Sequence, residues 1–497
     1  MRTKSLLSMV AALCAAIAVP GIAHAGCKEM KAALAGIIAD DATCFESKDL
    51  TTNNPLTTPA DNSIPGLPPG AFTPTTDRTV ISPDPPDRTP ITKAVPGIQM
   101  NGRFADDPTN EARFLLRFPN DWNGSLVVAG ASGTRSEFNG DFAWSDYVVQ
   151  KGYAYASQNK GVLNLRITGI GVPTPPTANS CRLNPSSTIW VEFYDNDSAK
   201  VFTQWTQYIV EATDLAKLAV NAQYNHQPRR TYAVGTSNGG YQVRRALETA
   251  PALFDGGVDW EGTFVDALGP NILIDLPPAI RNSTDASGFN PSPEGAKNIV
   301  AAGYPPDIPG APSLWGRYWN QFWEVTQCQW QKRFDPAWTT YTDGPNNVAG
   351  TGGYDYYSRI AADPSIAARV AAIATTGDIK RPLITVAGTM DALLPIKRGA
   401  RAYEALVTAH LRDREDDDGR PPRYRLYEVQ NGNHIETFKK TFPQLELIQP
   451  HAQRAFDLLI GYVERGTPLP QSQCVPRGGA IGTPSNKPGH CANLFVP

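Results

Sequence analysis

A basic surplus, cysteines paired at metal-binding spacing and a membrane-length apolar run are all missing from this sequence, and each absence closes a class of function. Lys and Arg number 45 against 48 Asp and Glu, for a formal net charge of −3. There is thus no clustered cationic excess to hold a phosphate backbone, and nucleic acid is not an expected partner. The most charged run, Arg412 to Arg420, mixes both signs and reads as a solvated loop. It is not a calcium loop, because aligning Asp418-Gly419 with the end of a D-x-D-x-D-G pattern puts Arg414 at the first ligand position. The 7 cysteines and 6 histidines show no CxxC and no zinc-type histidine motif, so neither a metal nor another cofactor is expected. After the amino-terminal segment nothing approaches the roughly 18 apolar residues of a membrane span.

What the chain does carry begins with Met1-Arg-Thr-Lys4, an apolar run from Leu6 to Val19, and Ala23-His24-Ala25. That is the charged, apolar and small-residue order of a secretory signal, so residues 1–25 are expected to be cleaved and the protein secreted to the periplasm or the medium. A lipoprotein signal fits less well, since His24 stands three before Cys27 where a leucine-like residue belongs. Cleavage leaves Cys27, Cys44, Cys181, Cys328, Cys474 and Cys491, and an even number in an exported chain reads as disulfides. The sequence does not choose among the pairings, though the two terminal pairs would each enclose a short segment and leave Cys181 for Cys328.

Residues 26–105 are rich in proline and threonine, with Pro83-Asp-Pro-Pro-Asp87 near the middle. Neither helix nor sheet continues through such composition, so an extended N-terminal arm is expected. Beyond it, strand-like runs at 112–118, 125–129, 153–157, 231–234, 254–258, 382–387 and 424–429 alternate with helical patterns. One of these repeats Trp205, Ile209, Ala212, Ala216 and Ala219 at three- and four-residue steps. Alternation of this kind predicts a mostly parallel sheet flanked by helices, over 106–263 and 379–470, followed by a tail, 471–497. Residues 264–378 break the alternation and hold half of the 10 tryptophans. Trp315, Trp319, Phe322 and Trp323 fall on one helical side there. A stripe at that spacing packs a small core by default; as a lid over the site, Trp315, Trp319 and Trp323 would contact substrate.

The chain is organised around Thr231-Tyr-Ala-Val-Gly235-Thr236-Ser237-Asn238-Gly239. A strand that breaks at Gly235 and restarts as a helix after Gly239 has the G-x-S-x-G form of a nucleophile elbow, with Ser237 at the turn. A serine hydroxyl needs a base, and the base needs an acid to orient it. On α/β-hydrolase scaffolds the order is Ser, Asp or Glu, then His. Asp391 follows the strand at 382–387 and His434 follows the strand at 424–429, so all three belong at the carboxyl ends of parallel strands. Asp378 is the other candidate acid. The oxyanion hole is expected from the backbone of Asn238 and from the Gly130 to Gly133 loop, through Ser132 or Ala131.

With Trp122-Asn-Gly124 leading into that glycine loop, Gly152-Tyr-Ala-Tyr-Ala-Ser157, the helix through Ala212 to Tyr224, and Tyr232 to Gln242 with Phe254-Asp-Gly256, the sequence resembles the tannase and feruloyl esterase family of secreted serine esterases. The resemblance runs over roughly 112–262 and more weakly over 381–470. It implies an α/β-hydrolase fold, an acyl-enzyme on Ser237 with Asp391 and His434, and the insertion as a lid. It also marks a divergence: family members carry joined cysteines just before the serine and the histidine, where this chain has Thr236 and Asn433. Gallate or ferulate specificity therefore does not carry over, and the expected substrate is a small or oligomeric ester, aromatic or aliphatic. A serine peptidase on the same scaffold and a hydrolase fold used only for binding are the competing readings.

Overall fold

The computed structural model describes residues 26–59, 77–79, 81–133, 135–162, 165–192, 202–285, 288–338, 350–412, 424–482 and 489–497. The expected signal segment and the charged run beyond Arg412 lie outside these residues. In chain order the strands are β1 (Thr43–Ser47), β2 (Gly97–Arg103), β3 (Arg113–Pro119), β4 (Ser125–Gly130), β5 (Ala154–Gln158), β6 (Arg166–Ile170), β7 (Cys181–Arg182), β8 (Ile189–Glu192), β9 (Arg230–Thr236), β10 (Gly256–Trp260), β11 (Thr284–Asp285), β12 (Gly288–Phe289), β13 (Leu383–Gly388), β14 (Tyr424–Val429) and β15 (Gln473–Val475).

Ten of them make one sheet in the order β1-β2-β3-β5-β4-β9-β10-β13-β14-β15. Pairing is antiparallel from β1 to β5 and parallel from β5 through to β15. β4, β10, β13 and β14 are buried along their whole length, because helices cover a parallel sheet on both sides. Alternate side chains serve the two faces. Leu126 and Val128 pack with Ile209, Ala212 and Ala216 of the helix Thr203–Tyr224 and with Val243 and Leu247 of Asn238–Thr249. Val127 and Ala129 pack the other way, with Trp144 and with Ala455, Phe456 and Leu459 of the helix Gln449–Arg465. This is the α/β-hydrolase fold.

The structure departs from the sequence reading at both ends. The expected arm supplies two strands of the main sheet, β1 and β2, and a helix, Cys27–Ala33, whose Met30 is buried against the core. Proline averaged over 26–105 conceals them, since the prolines lie between β1 and β2 in the sequence. The tail likewise adds β15 beside β14. Disulfides close both ends, Cys27–Cys44 and Cys474–Cys491, and a third joins Cys181 to Cys328. Three disulfides are a property of proteins folded in oxidising compartments. Among the described residues no helix is long and apolar enough to cross a membrane.

Above the carboxyl ends of the parallel strands sits a separate apolar cluster. It is built from the helices Ile272–Ser283 and Glu324–Phe334 and from Tyr354, Ile366 and Val370. A second segment joins it: the excursion after β5 forms a small sheet, β6-β8-β7, and Cys181 in β7 is bonded to Cys328 in the helix Glu324–Phe334.

Candidate active site

Five adjacent parallel strands end on the same edge of the sheet, where crevices form in open α/β folds, and each delivers one part of the site. Ser237 follows β9 with φ 57° and ψ −123°, a backbone region that L-residues occupy only when the surroundings enforce it. The enforcement is visible in the glycines. A Cβ on Gly235 would stand 2.3 Å from the Gly239 carbonyl oxygen, and one on Gly239 2.4 Å from that of Gly130, so strand, turn and helix approach more closely than side chains permit. The Ser237 N–H donates to the Trp260 carbonyl at 2.8 Å. Ser237 and His434 both line a cavity of about 230 Å³.

His434 follows β14 and is buried. Its Nδ1 hydrogen-bonds Asp391 Oδ2 at 2.8 Å, which leaves Nε2 for the serine side. Asp391, after β13, is oriented in turn by the N–H groups of Leu393 and Leu394, which donate to Oδ1 at 2.7 and 2.8 Å. Asp378 is not brought here; it pairs with Lys380 at 2.7 Å. Thr236 and Asn433, the positions of the missing cysteine pair, are tied separately. Trp144 Nε1 donates to the Thr236 hydroxyl at 3.4 Å, and the Tyr318 hydroxyl to Asn433 Oδ1 at 2.8 Å.

One acid was absent from the sequence reading. Glu261, directly after β10, places Oε2 3.4 Å from His434 Nδ1 while Oε1 accepts the Gly388 N–H at 2.7 Å. Burial first, and then the charge of Asp391, push its carboxyl up to about 7, against the pull of His434 and the Gly388 N–H. Burial disfavours charge on His434, but Asp391 and Glu261 outweigh it and raise the imidazole above its ordinary value. The G-x-S-x-G order names a single acid, so nothing in that pattern points to 261; the signal available was a glutamate one residue beyond a buried strand. The ligand atoms of Glu261, Asp391 and His434 lie within 4.8 Å of one another. A cation there would displace three N–H donors already on Asp391, and the trio is arranged to handle a proton.

The loop after β4 is set differently from the expectation. The Ala131 N–H donates to Gln242 Oε1 at 3.1 Å and the Ser132 N–H to Asn139 Oδ1 at 3.2 Å, so both expected donors are engaged inside the protein. Lys160 Nζ donates to the carbonyls of Ala131 and Ser132 at 2.9 and 3.1 Å. In a trans peptide the N–H points opposite to the C=O. With the Ser132 carbonyl held on Lys160, the Gly133 N–H is turned away from the lysine, and Gly133 is on the cavity wall. Asn238 opens the helix Asn238–Thr249, where first-turn N–H groups have no partner within the helix.

The tryptophans expected at the substrate are elsewhere. Trp315, Trp319 and Trp323 are buried in the apolar cluster. Trp315 Nε1 donates to the Pro305 carbonyl at 3.1 Å, Trp323 Nε1 to that of Ala392 at 2.6 Å, and Trp319 packs on Phe289. Phe322 and Trp330 line the cavity instead, with Leu393, Leu394 and Ile435. The cause is a π-helical turn, Trp319–Trp323, between the α-helices Leu314–Tyr318 and Glu324–Phe334. An extra residue in that turn rotates everything after it off a 3.6-residue stripe.

Comparison with known proteins places similarity in the second half of the chain. A family model described as 3HB-oligomer hydrolase matches residues 345–493. A D-(-)-3-hydroxybutyrate oligomer hydrolase of Burkholderia thailandensis is 34% identical over 125 residues, 24% of this chain and 17% of the relative. One from Ralstonia nicotianae is 35% identical over 130 residues, with the same two shares of 24% and 17%. The match thus spans about a sixth of the length of these relatives. Among solved structures, feruloyl esterase B from Aspergillus oryzae aligns with a TM-score of 0.47 and 13% identity, over 89% of this chain and 91% of that one. Tannin acyl hydrolase from Aspergillus niger aligns with a TM-score of 0.47 and 11% identity, over 80% and 87%. In sequence the chain is thus similar to 3-hydroxybutyrate oligomer hydrolases over one segment.

Proposed function

We propose that this protein is an exported serine hydrolase of carboxylic esters, and that its substrates are short hydroxyalkanoate oligomers. The observation that carries the chemistry is Ser237, at positive φ on a strand-to-helix turn, sharing a cavity with a histidine whose far nitrogen rests on a buried carboxylate. In the reaction, Ser237 Oγ attacks the ester carbonyl while His434 Nε2 takes its proton. The oxyanion is met by the N–H groups of Asn238 and Gly133. His434 returns the proton to the departing alcohol, and water, deprotonated by the same nitrogen, releases the acid from Ser237.

The substrate class rests on the 3-hydroxybutyrate oligomer hydrolases to which residues 345–493 are similar, and the wall of Leu393, Leu394, Ile435 and Phe322 suits a chain of methyl-bearing units. Trp330 and Phe322 on the same wall support a second reading, an aromatic acyl group. The three disulfides and the signal-like leader support export. The test is a panel of hydroxybutyrate dimer and trimer, ferulate and gallate esters, p-nitrophenyl butyrate and a peptide anilide, with fluorophosphonate labelling of the native chain and of Ser237→Ala. Ester turnover and labelling that depend on Ser237 are expected. Preferred cleavage of the anilide would make it a peptidase, and equal labelling of both chains would remove the enzyme reading.

A further inference from the structure

We propose that Glu261 is a second acid of the site, a positioning residue that acts through His434 by sharing with Asp391 the proton carried on Nδ1. The inference rests on the ester-hydrolase reading and extends it from a triad to a four-residue proton cluster.

The geometry is unusual for a structural glutamate. Glu261 leaves β10 with φ 51°, a left-handed backbone that disfavours any residue with a Cβ. Its own N–H is anchored on the Val386 carbonyl at 2.9 Å. This turn drives the side chain inward, under the β13 loop, where Oε1 takes the Gly388 N–H and Oε2 comes 3.4 Å from His434 Nδ1. Glu261 is 4% exposed, and Oε2 has no hydrogen-bond partner among the described residues. The donor within reach of that oxygen is the His434 Nδ1–H, held by Asp391 at 2.8 Å, so the imidazole stands between two buried carboxyl groups.

The consequence lies in the proton affinity of the base. Two carboxylates on one imidazole raise its proton affinity further than Asp391 alone would, so the nitrogen becomes free for the serine proton at a higher pH than in a three-residue triad. The remaining titratable groups around the cluster are Glu436, two residues past His434, and the phenols of Tyr304 and Tyr318. Burial holds both phenols far above neutral and brings Glu436 up to about 8, against the N–H groups of Gln449 and Ile448. None of these loses its proton between pH 5 and 7, so the cluster of Glu261, Asp391 and His434 governs that range.

Glu261→Gln keeps the acceptor for the Gly388 N–H and removes the ionisable group. Because a negative charge is lost from the imidazole's surroundings, its proton affinity falls, and the acid limb of kcat/KM on p-nitrophenyl butyrate should move about one pH unit lower. A limb that superimposes on the native one overturns the proposal, whatever happens to the rate. Asp391→Asn decides the matter if the first variant does not fold. With Glu261 able to hold Nδ1 in its place, this variant should keep at least roughly thirtyfold more activity than His434→Ala, where loss of the sole acid of such a triad costs about 10⁴-fold. Equal loss in the two overturns the proposal. Ser237→Ala separates the levels: if it is inactive and the limb does not move, only the second-acid role fails, and if it is active, the hydrolase reading fails and this role with it.

Discussion

The sheet edge and the apolar cluster above it meet at one cavity and are built on opposite terms. On the edge, functional groups sit within a few residues of a buried strand and are fastened by hydrogen bonds: Asp391 by two N–H donors, the loop after β4 by Lys160, Ser237 by interlocked glycine backbones. In the cluster, large rings fill space, and of those that reach the cavity Phe322 stands in the π-turn and Trp330 in the α-helix that follows it. The difference assigns chemistry to the edge and selection among substrates to the cluster, since bond making tolerates less displacement than apolar contact.

The comparison is sharpest at Ser237. Its replacement by alanine should lower kcat by about 10⁴-fold or more, leaving only what binding and the oxyanion donors supply; turnover of p-nitrophenyl butyrate under single-turnover conditions reads this directly. A residue of the edge that never touches substrate comes next. Lys160→Met frees the Ala131 and Ser132 carbonyls, and the lost aim of the Gly133 N–H should cost about 10²-fold in kcat with KM little changed. An effect confined to KM would place Lys160 with the cluster. Trp330→Ala, on the other side of the comparison, should change kcat/KM by about tenfold, and differently for butyrate and for longer or aromatic acyl groups. Uniform loss across the panel would contradict the division. Smallest in activity is the paired change Cys181→Ser and Cys328→Ser, which unties the small sheet from the helix Glu324–Phe334. Removing a crosslink with a sequence separation of 147 residues should lower stability by about 2–5 kcal/mol, seen as a drop in Tm, while the native-state rate changes only a few-fold.

The legible part of the chain was its middle. Strands at 125–129, 231–234, 382–387 and 424–429 announced themselves as short, continuous apolar runs, because a parallel strand buried on both faces has no polar side to interrupt it. Ser237, Asp391 and His434 followed from what stands just after those runs. β1 and β2 were not legible, since each is a short antiparallel strand at one end of a proline-rich stretch and carries neither strong alternation nor length. The tryptophan stripe packs the apolar cluster, the default reading of its spacing; that Phe322 and Trp330 reach the cavity was not legible, because a wheel drawn at 3.6 residues per turn has no place for the π-turn at Trp319–Trp323.

Sequence alone determined which strands are central, which serine stands at a strained turn, and which acid and histidine come after it in order, because these depend on spacing along the chain and on local backbone chemistry. The tertiary structure decided what depends on approach from elsewhere. It fixed the Ser132–Gly133 peptide through a lysine 27 positions after Gly133, from which the peptide N–H faces away, and brought Phe322 and Trp330 to the wall. It also set Glu261 beside His434 although 173 positions separate them. A carboxylate's role is fixed by the charge and solvent around it, and neither is written in the residues next to it.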